Sequence, residues 1–356
     1  MSSIPILNFE QTMAAVQSAF ESKITLALMG PPGVGKTQLV RLAAKVVKKP
    51  LHVLLGSTCD PSDIGGIPVV TDGELRRIPI AAIRACAAAP GILFLDEITT
   101  VTPSVQAPLM RLLLEGVAGD VKLHKESVVC AAFNPPEHCP GSYELSAATT
   151  NRMIIVKLSP TLSEIRAFFD NLGEEDTPLR AEGRDWSATV SQETRLLQID
   201  PPPASVQQGE PWGSPRAWER GLIAYVQAVE NKAPDVVSHA LLAGAVGEAQ
   251  ATVYAAIKRL RDALPSVDDI RRDPEGTRVP DGKDKQIAAI GVLSRVADVD
   301  IWAAWMYAER LGAEISMACA RVLLTRPTKG PGTFATKGRQ AQIRLMAKIS
   351  RKIDAR

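Results

Sequence analysis

In residues 1–160, short runs of consecutive apolar positions alternate with longer stretches in which apolar residues recur every three or four places. The runs are residues 24–29 (ITLALM), 51–56 (LHVLLG), 91–97 (GILFLDE), 127–134 (SVVCAAFN) and 153–158 (MIIVKL). Unbroken apolar runs of this length suit strands buried on both faces. Helical periods such as Leu39, Leu42, Ala43, Val46 and Val47 supply the layers that bury them. The pattern predicts an α/β fold with a parallel sheet between helices.

Two interruptions read as hairpins. In the first, at about 67–79, Asp72-Gly73 sits between Val69-Val70 and Leu75, and Asp-Gly is a strong signal for a tight two-residue turn. The second spans 115–127, where Gly119-Asp120 separates two short β-like runs.

Beyond Leu158 the strand signal ends, and helical patterns follow at 161–172, 215–232, 235–246, 251–264 and 301–324. The polar, Pro-rich segment 171–213 reads as a loop or lid connection, 265–285 as a second polar break, and 326–338 as a linker. Trp302, Trp305 and Met306 fall where a helix core needs bulk. The last stretch, 341–356, places Ile343, Met346, Ile349 and Ile353 at helical spacing among basic residues. It predicts an amphipathic helix that docks on its own assembly or meets an acidic partner, nucleic acid or membrane surface.

Composition narrows the classes. The chain has 356 residues, 46% hydrophobic and 4% aromatic, enough for two or three domains and better suited to packed helices than to a β-sandwich. Five scattered cysteines without a CxxC pair fit reduced thiols rather than a disulfide framework or zinc site. No apolar run is long enough to span a bilayer and the N-terminus lacks a signal-peptide pattern, so a soluble, cytoplasmic protein is expected. Net charge is +2 overall but +8 from Arg326 onward, leaving the preceding chain at −6.

The chemistry concentrates in a few places. Gly30-Pro31-Pro32-Gly33-Val34-Gly35-Lys36-Thr37, followed by Gln38, matches GxxxxGK[ST] and falls between an apolar run and a helical period. There, backbone N–H groups can cradle phosphates, Lys36 can neutralise them, and Thr37 can ligate Mg²⁺. The third apolar run ends in Asp96-Glu97: one carboxylate to hold the metal, one to activate water. Asn134 closes the fourth run, where an amide can hold water or phosphate beside Glu97 or simply cap the strand. Arg152 precedes the fifth run. Arg216 follows Ser214, a candidate N-cap, and Pro215; a cation in a helix's first turn is unfavourable unless an anion faces it.

Together these residues resemble the AAA+ ATPases and, within them, the MoxR family, over residues 4–262. The resemblance rests on GPPGVGKT, DPSDIGG (60–66), ILFLDEI, AAFNP, TTNRM and GSPRAW. It implies an AAA+ core of the P-loop NTPase class over 1–158, an α-helical lid over 159–264, and a helical C-terminal extension with a basic tail over 265–356. It further implies ATP and Mg²⁺ as cofactors, Asn134 as sensor 1, Arg152 as a finger reaching a neighbouring subunit, and Arg216 as sensor 2. The two hairpins would be the helix-2 insert and the pre-sensor insert, facing a central pore. The assembly the resemblance implies is a ring, expected to be a hexamer, that remodels a client protein with a von Willebrand A-domain partner. The alternative is a nucleic-acid motor on the same core, for which the basic tail and the Arg76/Arg77 hairpin speak. Family members usually follow Asp-Glu-Ile with Asn-Arg; this chain has Thr99-Thr100 instead.

Overall fold

The computed structural model describes residues 4–262, 264–324 and 334–353. It divides into two units, Met1–Thr252 and Val253–Arg356.

The first unit is organised by a six-stranded sheet. Its strands are β1 (Ile6–Leu7), β2 (Leu26–Met29), β3 (Leu51–Leu55), β6 (Ile92–Asp96), β9 (Val128–Phe133) and β10 (Ile154–Leu158). The two hairpins supply β4 (Ile67–Thr71) with β5 (Glu74–Ile78), and β7 (Val117–Ala118) with β8 (Val121–Lys122). The sheet order is β1-β10-β2-β9-β6-β3, and every pair in it is parallel. All five predicted strands are present; β1, only two residues long, adds an edge that no apolar run announces.

The apolar runs are continuous because alternate residues feed two different cores. Ala27, Leu93, Leu95, Val129, Ala131 and Phe133 pack on one face with Ile83, Leu109 and Leu112. Leu26, Leu28, Ile92, Phe94, Cys130 and Ala132 pack on the other with Val16, Phe20, Leu39 and Val40. This is the helix-sheet-helix layering that the pattern predicted.

Both hairpins form. Asp72 and Gly73 have φ of 54° and 79°, the positive values of a type I′ turn, which the glycine adopts without strain. The two hairpins are also clasped together. The backbone N–H of Arg77 donates to Asp120 Oδ2 at 2.7 Å, and the N–H of Asp120 donates to the Arg77 carbonyl at 3.2 Å.

The segment 171–213 is not simply a loop. It contains the helix Pro178–Gln192, started by Thr177 and Pro178, and the short helix Pro203–Gln208. Polar residues dominate the composition, but Trp186 is fully buried against Phe169, ring centroids 3.9 Å apart, and near Trp218. One aromatic anchor and a capped start suffice where overall polarity pointed to a connection. Likewise, 265–285 contains the helix Val267–Arg272.

The second unit is helical. Its core includes Trp302, Trp305 and Met306, buried as expected, with Tyr307, Val292, Ile315, Cys319, Ala341 and Leu345. The last helix is Ala335–Ile353, so 335–338 belong to the helix rather than to a linker; 325–333 lie outside the described residues. Its buried face carries Ala341 and Leu345, whereas Ile343 and Met346, two residues of the stripe read from sequence, are exposed and available to a docking surface. Gly338 explains the choice of face: a Cβ there would stand 2.7 Å from Trp302 Cβ, so only a glycine lets the helix seat this closely. Arg344 and Lys337 pair with Glu309 and Glu275, and the Arg339 guanidinium lies 5.3 Å from the Trp302 ring centre. Part of the basic tail is thus engaged within its own unit. Among the described residues no helix is long and apolar enough to cross a membrane.

Candidate functional site at the phosphate loop

The sheet brings the C-terminal ends of β2, β6 and β9 side by side. Gly30 follows β2, Asp96 ends β6, and Asn134 follows β9. The loop 30–35 leads into the helix Lys36–Val46, whose first-turn N–H groups therefore face the same place.

Lys36 is buried, 7% exposed. Its Nζ donates to the carbonyls of Gly30 (2.7 Å) and Pro31 (3.0 Å) and to Asn134 Oδ1 (2.7 Å). Burial pushes its pKa down from 10.5 to about 8; the carboxylates of Asp96 and Glu97 oppose that shift, and Arg216 reinforces it. An ammonium this deep, held by neutral acceptors, suits an anion that brings negative charge to it. Thr37 Oγ1 donates to Asp96 Oδ2 at 2.6 Å. A hydroxyl and a carboxylate joined this way are hard oxygen donors of the kind Mg²⁺ takes.

Glu97 sits at φ 57°, a left-handed conformation unusual for a residue with a side chain. The turn that holds it is well bonded. Glu97 N–H donates to Asp96 Oδ1 (3.0 Å), and the Glu97 carbonyl accepts from both the N–H (2.9 Å) and the hydroxyl (2.8 Å) of Thr100. Thr100 is therefore a brace for this turn. The neighbouring Thr99 hydroxyl is buried without a partner.

Arg216 comes to the same place from the helix Pro215–Glu230. Ser214 caps that helix by accepting from Ala217 N–H at 3.2 Å, and Pro215 occupies its first turn, as predicted. The Arg216 N–H donates to the Gly33 carbonyl at 3.3 Å, fixing the helix start over the phosphate loop.

Arg152 is the exception. It is exposed and precedes β10, whose Ile154 is in register with Leu26 at the start of β2. The phosphate loop leaves the opposite end of β2, so the Arg152 backbone lies about a strand length from its own chain's loop.

A cavity of 440 Å³ adjoins the loop. Gly33, Val34, Gly35, Thr37 and Gln38 form one side of it. Phe9, Arg41, Pro160, Phe168, Glu219 and Arg220 are among the residues of the other walls. These walls went unpredicted; only the spacing of Glu219 and Arg220 from Arg216, three and four along one helix, hinted at a shared face.

Residues 25–153 match the family model of the AAA domain, dynein-related subfamily. The human ATPase family gene 2 protein homolog B is 34% identical over 139 residues, 37% of this chain and 17% of that protein. The peroxisomal Lon protease homolog 2 of Pongo abelii is 35% identical over 91 residues, 25% of this chain and 11% of that protein. The chain thus matches about a fifth or less of the length of these curated relatives. Among solved structures, the Thermotoga maritima RuvB Holliday junction branch migration motor is similar at 15% identity and TM-score 0.38, over 83% of this chain and 79% of that one. The family match over residues 25–153, the parallel sheet and the phosphate loop together give this part of the chain the AAA+ P-loop NTPase fold.

Proposed function

We propose that the chain is a Mg²⁺-dependent ATP hydrolase of MoxR type that works as a ring and remodels a client protein, with a von Willebrand A-domain protein as partner. In this reading the loop 30–35 and Lys36 bind the β- and γ-phosphates, with Gln38 beyond them in the first helical turn. Thr37 and Asp96 hold Mg²⁺, which supplies charge neutralisation at the phosphates when bound. Glu97 accepts the proton of the attacking water on its carboxylate, and Asn134, within reach of Lys36, orients that water or the terminal phosphate. Arg216 faces the phosphates from its own subunit, and the helices within 159–264 act as a lid.

The observation that carries the ring is the position of Arg152. An arginine a strand length from its own loop cannot serve it, but in a ring the same edge can face the next subunit's nucleotide. The test is mixing. Arg152→Ala should bind nucleotide and fail to turn over, and Lys36→Ala should fail to bind. Mixed assemblies should regain part of the activity by pairing an intact loop with an intact finger. Assembly confirmed by light scattering with no rescue at any ratio would refute a finger acting in trans.

The exposed hairpin β4–β5 is assigned to the client. Val70 and Leu75 are 70% and 67% exposed near its tip, beside Arg76 and Arg77. Its clasp to β7–β8, which follows the helix Pro103–Glu115, gives a route from the Asp96-Glu97 turn to the client surface.

A further inference from the structure

We propose that Glu219 sets nucleoside selectivity by accepting a hydrogen bond from a donor on the nucleoside, either a sugar hydroxyl or the 6-amino group of adenine. This rests on the nucleotide-binding reading of the phosphate loop.

The cavity beside the loop is where a nucleotide anchored by its phosphates must place its sugar and base. Its walls include two aromatic rings, Phe9 and Phe168, with Pro160 and Ile165, surfaces against which a base can stack. Two carboxylates line it, Glu164 and Glu219. Glu164 is committed: its Oε1 accepts from Glu10 N–H at 3.0 Å, and its Oε2 from the N–H (2.8 Å) and hydroxyl (3.0 Å) of Thr161. It ties the helix Leu162–Asp170 to the chain's first helix and has little capacity left. Glu219 differs. It is half-buried, and no described residue donates a hydrogen bond to it. Burial pushes its pKa up, although Arg216 and Arg220 pull the other way. A partly desolvated carboxylate without a protein donor keeps its oxygens open to a donor from a ligand in the cavity.

Its place along the helix fits that role. The Arg216 backbone is fixed to Gly33 in the phosphate loop, and Glu219 lies three residues on, about 4.5 Å along the axis and on the same face. It is therefore displaced from the phosphate end along the helix while still lining the cavity. Both sugar hydroxyls and the 6-amino group can donate to a carboxylate; the 6-carbonyl of hypoxanthine cannot and would be repelled.

Calorimetric titration of the full chain in Mg²⁺ with ADP, 2′-deoxy-ADP, 3′-deoxy-ADP and inosine diphosphate separates these donors. Wild type should bind one of the three analogues about tenfold or more weakly relative to ADP. Weakness toward a deoxy analogue assigns the sugar, and weakness toward inosine diphosphate the base. In Glu219→Leu the same ratio should fall below about threefold. In Glu219→Gln, whose amide can donate as well as accept, inosine diphosphate should recover if the base is the partner, and the sugar preference should persist if the ribose is. A folded Glu219→Leu that keeps the wild-type ratio, or a wild type that binds all four within about threefold, would overturn the proposal while leaving nucleotide binding intact. A wild type that binds none of them would overturn the nucleotide reading itself.

Discussion

Lys36 makes the site sensitive to pH in a direction that can be worked out. In the free protein burial holds its pKa at about 8, against 10.5 for an ordinary lysine. Phosphates placed on Nζ favour the charged form, so the bound site keeps its proton to higher pH. Above pH 8 binding must therefore take up a proton, and affinity must fall as pH rises. With a free-site pKa of 8, about three-quarters of Lys36 is charged at pH 7.5 and about a tenth at pH 9, so the Kd for ADP should rise about eightfold between them. Proton uptake at pH 9 should approach about 0.9 per nucleotide. Titrations in buffers of different ionisation enthalpy measure both quantities, and the range avoids the phosphate's own titration near neutrality. Folding carries the opposite sign. The unfolded chain holds this proton up to about pH 10.5 while the folded chain releases it near 8, so stability should rise with pH across that window. The contribution is read as the difference between wild type and Lys36→Met. A Kd that changes less than twofold from pH 7.5 to 9, with no proton uptake, would refute the assignment of a buried, phosphate-binding amine.

Other predictions concern the hairpins and the tail. Replacing residues 67–79 by a two-residue glycine link should leave basal ATP hydrolysis standing and abolish its stimulation by client; collapse of basal turnover in a folded, assembled protein would make the hairpin part of the ring's frame. Asp120→Ala removes the carboxylate that holds Arg77 N–H at 2.7 Å and should weaken client stimulation with little effect on basal turnover, since the bond is exposed and worth about 1 kcal/mol at most. In the second unit, Leu345→Ala should cost about 2–5 kcal/mol in urea unfolding because the side chain is fully buried, whereas Ile343→Ala, on the exposed face, should cost far less.

Much of this was legible in the sequence because the signals were local. The phosphate loop, the Asp96-Glu97 strand end, Asn134 and the Ser214-Pro215 helix start each lie within a few residues, and the five central strands announced themselves by burial on both faces. What escaped was non-local or small. β1 is two residues whose strand character comes from pairing with β10. The cavity walls join Phe9, Phe168 and Glu219, which only the folded sheet and helices bring together. The helix Pro178–Gln192 was hidden by its polar surface, its core contribution resting largely on Trp186. In the last helix, counting large apolar residues did not find the face that packs within the unit. The buried side is made by Gly338, Ala341 and Leu345, where small residues permit close approach to Trp302, and smallness leaves no mark on an apolar count.

The central claim is that Glu97 activates water at a nucleotide held by Lys36, Thr37 and Asp96. It is tested most directly by measuring ATP affinity and ATP hydrolysis on the same Glu97→Gln protein. The account predicts near-wild-type affinity with turnover at least about a hundredfold slower. Turnover close to wild type at intact affinity would contradict it.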